Sequence, residues 1–354
     1  MSLSVDSALR KAQTFEKRND LVSATAIYQD ILARFPANQR AITGYKRLQN
    51  NAKSEPSPEQ IQNLVTLFNQ GQLEATIAQS QTLIDNFPNS PTLWNILGVA
   101  SRQTGNADFA ELAFRKVTTL DPEFSGAHNN LGNALKDNGK IAEAIDAYRN
   151  ALKIDPKFAE AHNNLGSARQ EQGEIEVAIK LYKKAIALKP DYADAHNNLG
   201  HALHESGDTI QAMDTYEAFT KLQPENIEAY FKLGNETLIN NNIDQAIKAY
   251  LKAIDLNPNI PEAHSNLGNA LLEQGKLGEA IDCYKKAIAL KPGYAVAYNN
   301  LGSAYQESNQ LDHALDAYTA AVTIKPDYAD AHFDLAAVYL RKSAFTAAWP
   351  EMEW

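Results

Sequence analysis

The feature that most constrains this chain is a proline that returns every 34 residues. Pro88, Pro122, Pro156, Pro190, Pro224, Pro258, Pro292 and Pro326 keep that interval without a slip. Proline has no N–H to donate and crowds the turn before it, so each one ends a helix and closes a repeat. Seventeen residues before each proline stands a residue that tolerates a left-handed backbone: Gly71, Gly105, Gly139, Gly173, Gly207, Asn241, Gly275 and Asn309. The order predicted for every repeat is helix, tight turn, helix, proline. A chain built this way reads as an array of small units, which overrides the two or three domains that 354 residues would otherwise suggest.

The interior of each repeat is equally regular. The phrase Ala127-His128-Asn129-Asn130-Leu131-Gly132 recurs at Ala161–Gly166 and Ala195–Gly200, with variants at Ala263–Gly268 and Ala297–Gly302. In the second helix come Ala110, Ala144, Ala178, Ala212, Ala246, Ala280 and Ala314. Four residues later stand Phe114, Tyr148, Tyr182, Tyr216, Tyr250, Tyr284 and Tyr318. Spacing i, i+4 keeps the small residue and the ring on one helix face. Gly and Ala let backbones approach, and Leu and the rings fill what remains. One repeat cannot bury that surface alone, so neighbours must stack.

This 34-residue pattern, with Leu-Gly, Gly, Ala, an aromatic and Pro at fixed offsets, resembles the tetratricopeptide repeat. The resemblance implies an all-α fold, a right-handed α-solenoid of stacked helix-turn-helix repeats. Eight repeats run from 57–90 to 295–328, and a further one over Val5–Asn38 carries Ala24, Tyr28 and Pro36. Pro36 to Pro88 exceeds one repeat by 18 residues. The excess fits a lone helix (Arg40–Gln49) and a polar linker rich in Asn, Ser and Pro. The expected organisation is residues 1–50 as an N-terminal repeat plus lone helix, 51–58 as linker, 59–328 as solenoid, and 329–354 as a partial C-terminal repeat. That last stretch offers Phe345, Trp349, Met352 and Trp354, an apolar end to be covered by a second copy or a further domain. Its ending, Trp349-Pro350-Glu351-Met352-Glu353-Trp354, resembles a junction in bacterial tetratricopeptide proteins that a transferase domain follows.

Composition sets outer limits. A net charge of −10 argues against a nucleic-acid scaffold, which would carry a basic stripe. Cys283 is the single cysteine, so no intrachain disulfide forms, and a reducing, cytoplasmic setting is expected. Nothing in the N-terminal twenty residues resembles a secretory leader, and no uncharged run is long enough to span a bilayer.

The candidate binding residues lie on the first helices, which the resemblance places on the concave face. Just before the leucine stand Asn130, Asn164, Asn198, Lys232, Asn266, Asn300 and Asp334; two after it stand Asn133, Ser167, His201, Asn235, Asn269 and Ser303. A carboxamide offers one acceptor and two donors, which suits a peptide backbone. Helices lie about 8–10 Å apart while an extended chain rises about 3.3 Å per residue, so one asparagine per repeat meets the ligand only every few residues. The row resembles the asparagine ladder of O-GlcNAc transferases, which implies a hold on extended segments. The other reading is that these residues solvate the face or merely copy themselves through duplication. The carboxylate clamp of chaperone-tail-binding relatives is missing: its basic positions hold Glu160, Asp194, Glu228, Glu262, Val296 and Asp330. Asp137, Glu171, Glu205, Glu273 and Glu307 add acid one turn on, favouring a ligand that is not acidic.

Repeat 227–260 departs from the rest. Phe231 and Lys232 replace the asparagine pair, and Leu238 and Ile239 replace polar residues. With Leu272 they form either an apolar spot on the binding wall or internal packing at an irregular joint. His128, His162, His196, His264 and His332 occupy a column shared with Trp94, Tyr230 and Tyr298, which marks them as packing residues. His201 and His204 share one helix face, but no third metal ligand accompanies them. No nucleophile–base pair or phosphate loop stands out. The expected function is therefore a scaffold, not an enzyme, with no cofactor and no metal. It binds an extended peptide or protein segment through Asn130, Asn133, Asn164, Asn198, Asn235, Asn266, Asn269, Asn300, Phe231 and Lys232. The alternative is the acceptor-recognition region of a larger bacterial transferase.

Overall fold

The computed structural model describes residues 5–17, 20–52 and 55–352, and among these the backbone forms twenty-one α-helices and no strand. An N-terminal trio comes first: α1 (Val5–Lys17), α2 (Leu21–Arg34) and α3 (Gln39–Ala52). Eight helix pairs follow. Their first helices are α4 (Pro58–Asn69), α6 (Pro91–Gln103), α8 (Ser125–Asp137), α10 (Ala159–Glu171), α12 (Ala193–Glu205), α14 (Ile227–Ile239), α16 (Pro261–Glu273) and α18 (Ala295–Glu307). Their second helices are α5 (Leu73–Asn86), α7 (Ala107–Leu120), α9 (Ile141–Ile154), α11 (Ile175–Leu188), α13 (Thr209–Leu222), α15 (Ile243–Leu256), α17 (Leu277–Leu290) and α19 (Leu311–Ile324). The last two are α20 (Ala329–Arg341) and the short α21 (Phe345–Glu351). This is an all-α solenoid of stacked helix pairs.

One boundary differs from expectation. The lone helix runs to Ala52 rather than stopping at Gln49, and so takes in residues assigned by composition to the linker. Asn50 and Asn51 are weak helix formers, but nothing in that stretch breaks a helix before Pro56.

The turn inside each repeat is closed where the sequence places it. The six glycines have φ between 73° and 83°, and Asn241 and Asn309 hold φ 57°. Ser343 does the same for the partial repeat. At Gly139 the local bonding is explicit: its N–H donates to the Lys136 carbonyl at 2.9 Å, and Lys140 N–H reaches the Leu135 carbonyl at 2.8 Å. These bonds satisfy carbonyls that the helix end would leave open.

What joins the two helices of a repeat is a glycine facing a ring. A Cβ built on Gly132 would lie 2.4 Å from the Tyr148 ring, and on Gly234 it would lie 2.5 Å from Tyr250. Gly98, Gly166, Gly200, Gly268 and Gly302 meet Phe114, Tyr182, Tyr216, Tyr284 and Tyr318 in the same way. All seven rings are buried, as are the alanines one turn before them. In the N-terminal trio Ala12 stands at the glycine position, and Gly44 of α3 closes on Tyr28 instead.

The chain divides into two compact units, Met1–Asn164 and Leu165–Trp354. In the first, each first helix from α4 to α8 packs on its own second helix, and α4 also meets α6, as α6 meets α8. In the second, α14, α16, α18 and α20 meet in succession besides packing on their partners. First helices α4 to α8 in the first unit and α14 to α20 in the second therefore form continuous faces, on which polar residues become neighbours. At the C-terminal end, α21 is held by a hydrogen bond between buried His332 Nδ1 and Glu351 Oε2. Burial works against a charge on His332. The Glu351 carboxylate and the Pro326 carbonyl outweigh it and hold the imidazole above its ordinary value. Phe345, Trp349 and Met352 are exposed there, Trp349 by 65 %; Trp354 lies outside the described residues.

The glycine contact yields a direct test. Gly200→Ala drives a methyl into the Tyr216 ring and should destabilise by about 2 kcal/mol, the usual range for overpacking. Gly278→Ala, in the first turn of α17 with open space around it, should instead stabilise by about 0.5–1 kcal/mol. Urea titration followed by circular dichroism distinguishes them, and equal effects would contradict the close-approach account.

Candidate functional site

The leucine–glycine register decides which asparagine of each pair meets solvent. Asn129, Asn163 and Asn299 are buried, whereas Asn130, Asn164, Asn198, Asn266 and Asn300 are half-buried on the first-helix face. The half-buried residues also reach back to the preceding repeat. Asn130 Nδ2 donates to Asn95 Oδ1 at 3.3 Å, and Asn164 Nδ2 to Asn129 Oδ1 at 3.0 Å. Farther on, Asn266 Nδ2 donates to Asn235 Oδ1 at 3.0 Å, and Asn300 Nδ2 to Asn269 Oδ1 at 2.9 Å. The acceptor changes because the sequence changes. Phe231 and Ser265 stand where Asn95 and Asn129 would be, so the donor turns to the asparagine four residues later.

Asn133, Asn235 and Asn269 carry a second duty. Their Oδ1 atoms accept the hydroxyls of Tyr148, Tyr250 and Tyr284 at 2.8, 2.7 and 2.8 Å. A buried phenol O–H needs an acceptor, and burial holds Tyr250 and Tyr284 well above the ordinary phenol value. The carboxamides thus belong to the stack as well as to its surface. Asn130, Asn266 and Asn300 are each oriented through nitrogen and keep a carbonyl oxygen with no hydrogen-bond donor on it among the described residues. Exposed Glu171, Glu205, Glu273 and Glu307 flank this row. Asp137 is engaged by Arg102 at 2.6 Å. The face is one of oriented acceptors.

The histidine column does more than fill space. His128, His162, His196, His264 and His332 each bring Nε2 within 2.9–3.0 Å of the carbonyl of the proline six residues earlier. Trp94 Nε1 makes the same bond to Pro88 at 2.9 Å. An N–H at the ring edge is what indole and imidazole share, and it ties the first helix to the proline turn. His201 and His204 go elsewhere: His201 Nδ1 meets Gln170 Nε2 at 3.0 Å, and His204 Nδ1 meets Glu236 Oε1 at 2.7 Å. No group of three His, Cys, Asp or Glu able to hold a metal occurs among the described residues. Burial pushes the half-buried Cys283 thiol up to about 11, away from reactivity.

The irregular repeat 227–260 divides into packing and surface. Phe231 meets the Tyr250 ring edge-on at 6.1 Å and, with Leu238 and Leu272, packs against the core. Ile239 stays 56 % exposed. Lys232 Nζ bonds Glu228 at 3.0 Å and lies over the Tyr216 ring at 5.9 Å. Between these residues opens a cleft of about 500 Å³, lined by His201, His204, Tyr216, Lys232, Asn235, Glu236, Leu238, Ile239, Tyr250 and Asn266.

Glu236 is the residue that sequence reasoning missed. It stands three after the leucine, where Ala100, Ala134, Ala168, Ala202, Ala270 and Ala304 are all fully buried. Reading that one column down the repeats would have exposed it. Glu236 is itself only 3 % exposed, and its Oε2 has no hydrogen-bond partner. The contrast is Glu111, also buried, whose oxygens take Arg115, Lys140 and Asn138. Burial raises the Glu236 carboxyl above its ordinary value, although His204 pulls the other way.

That arrangement has a measurable consequence. The unfolded chain releases the Glu236 proton at lower pH than the folded one. Its contribution to stability is therefore complete below the ordinary value of 4.5 and is lost as pH rises through the raised one. Glu236→Ala restores the repeat residue and should raise stability by about 1 kcal/mol near neutrality. Thermal melts in a pH series should show that gain widening from the ordinary carboxylate value upward. A destabilised variant would refute this view of Glu236.

Among the described residues no helix is long and apolar enough to cross a membrane. No curated protein matches the chain. The crystal structure of YrrB, a TPR protein with an unusual peptide-binding site, is similar over 53 % of this chain and 96 % of its own, at 26 % identity and TM-score 0.48. MamA is similar over 48 % of this chain and 93 % of its own, at 27 % identity and TM-score 0.46. The APC/C hetero-tetramer Cut9–Hcn1 aligns over 94 % of this chain and 76 % of its own, at 15 % identity and TM-score 0.48. A sequence profile described as TPR repeat matches residues 132–173, 167–207, 234–275, 268–308 and 302–343, and one described as tetratricopeptide repeat matches 91–124 and 193–226. With more than half of the sequence covered by these matches, the chain belongs to the tetratricopeptide-repeat family.

Proposed function

We propose that the first-helix face holds an extended protein segment through oriented asparagine oxygens, at Asn130 in unit 1–164 and at Asn266 and Asn300 in unit 165–354. Membership of the family makes the chain a protein-interaction scaffold in general; the asparagine row is the finer reading. The observation that carries it is the bonding of Asn130, Asn266 and Asn300 through nitrogen to the repeat behind, with oxygen left over. A fixed carbonyl is an acceptor with little entropy left to lose, which favours binding over a freely rotating side chain. Acceptors flanked by carboxylates select a segment rich in donors, from backbone N–H groups to basic side chains. Asn164 stands with Asn130 in the first unit and Asn198 with Asn266 and Asn300 in the second, and Asn133, Asn235 and Asn269 are stiffened through the tyrosine hydroxyls. The role is binding, not catalysis.

The test is a display library of random dodecapeptides panned against the purified protein. Enriched peptides should be extended and net basic, and Asn266→Ala with Asn300→Ala should weaken them about tenfold or more. Each variant also loses one inter-repeat hydrogen bond, so its thermal midpoint is read alongside. Tight binders untouched by these substitutions, and lost on changes to exposed second-helix residues such as Glu176 or Lys183, would place the site on the opposite face.

A further inference from the structure

Several first-helix residues keep a buried polar atom without a partner, His162, His196, Asn197 and Asn299 among them, and Glu236 is the carboxyl in that group. Six repeats put alanine at its position, and the protein buries a carboxylate there with one oxygen unpartnered. Glu236 is among the residues lining the 500 Å³ cleft, with Oε2 closed off from solvent behind that surface, and the cleft is large enough for a long side chain. We propose that the cleft on α14 receives the guanidinium of an arginine presented by a partner segment, with Glu236 as its counter-charge. This rests on the first-helix face being the binding face.

The lining fits a side chain that is apolar along its stem and cationic at its head. Leu238 and exposed Ile239 offer wall for methylenes, and the Tyr216 and Tyr250 rings flank the floor. Glu236 Oε2 is unpartnered, Asn266 Oδ1 carries no donor because its bond to Asn235 runs through nitrogen, and Tyr216 Oη has no hydrogen bond among the described residues. Several acceptors suit the five N–H groups of a planar guanidinium better than a compact, strongly hydrated ammonium. The cation also repairs the cost of the site, since burial disfavours the ionised Glu236 carboxylate until an opposite charge arrives.

Two basic side chains, His204 and Lys232, bound the cleft, and neither bonds Oε2. His204 Nδ1 takes Oε1 from the side at 2.7 Å, with half of its own side chain in solvent. Lys232 stands one turn before Glu236 on the same helix but is drawn outward by Glu228. Lys232 is the natural rival of an incoming arginine, which makes the site adjustable from within.

The probe is N-acetyl-arginine amide, with N-acetyl-citrulline amide as its neutral isostere, titrated into methyl-labelled full-length protein and followed by NMR. Saturable shifts are expected at the Leu238 and Ile239 methyls with the arginine probe, and about tenfold weaker binding with citrulline. Glu236→Gln, which keeps shape and removes charge, should lose the same factor while its thermal midpoint does not fall. Lys232→Met should strengthen binding. No saturable shift up to about 20 mM, equal affinity for the two probes, or unchanged affinity in Glu236→Gln would each overturn the proposal. Weaker binding in Lys232→Met would also overturn it, by showing a cleft that reads anions. Asn266 belongs to both the cleft and the asparagine row, so the row is tested separately through Asn300→Ala, which leaves every cleft residue in place. Failure here leaves that row standing, and loss of the row leaves the cleft measurable.

Discussion

Everything in the two compact units depends on a glycine backbone lying against a buried ring. The contact leaves no room for a Cβ at Gly132, Gly200 or Gly268, so the first helix of a repeat can approach its second helix in only one register. Once that register is set, the asparagine two before the glycine must point outward, and the one before it must turn into the stack. The ring adds a chemical demand. Its hydroxyl is carried into the interior and must be met by an acceptor, which Asn133, Asn235 and Asn269 supply. Packing therefore dictates the orientation of the polar face.

Much of this was legible in the sequence, because repetition converts one residue into a column. Proline and the left-handed residues marked the turns, and leucine, glycine, alanine and tyrosine marked the contacts. Two kinds of information were not legible. The first is hydrogen-bond direction: nothing in the phrase Asn129-Asn130 tells that Asn130 donates backward, or that Phe231 and Ser265 redirect the next donor. The second is the single exception. Glu236 looks ordinary among many acidic residues, and only its position in an alanine column, together with the burial that follows, sets it apart. The histidines show a middle case. Their column was read correctly as equivalent to Trp94, but the shared property is a ring N–H for the proline carbonyl as well as bulk.

A repeat array with identical polar residues has affinity spread evenly and little discrimination, because each acceptor reads backbone that every peptide has. Specificity requires breaking the repetition. On the proposed reading the irregular repeat 227–260 does this at some expense, exchanging a good alanine for a half-satisfied acid and the asparagine pair for Phe231 and Lys232. That is the expected signature of a site in which local stability yields to recognition. Glu111, an acid in a second helix, is by contrast met by Arg115, Lys140 and Asn138.

The central claim is that ligand contact is confined to the first helices and centred on the irregular repeat. Hydrogen–deuterium exchange, run on the protein alone and with an arginine-containing dodecapeptide selected from the library, tests it most directly. The account predicts added protection along α12, α14 and α16, greatest around Glu236, with second helices α13, α15 and α17 unchanged. Protection appearing on the second helices, or evenly over both, would contradict it.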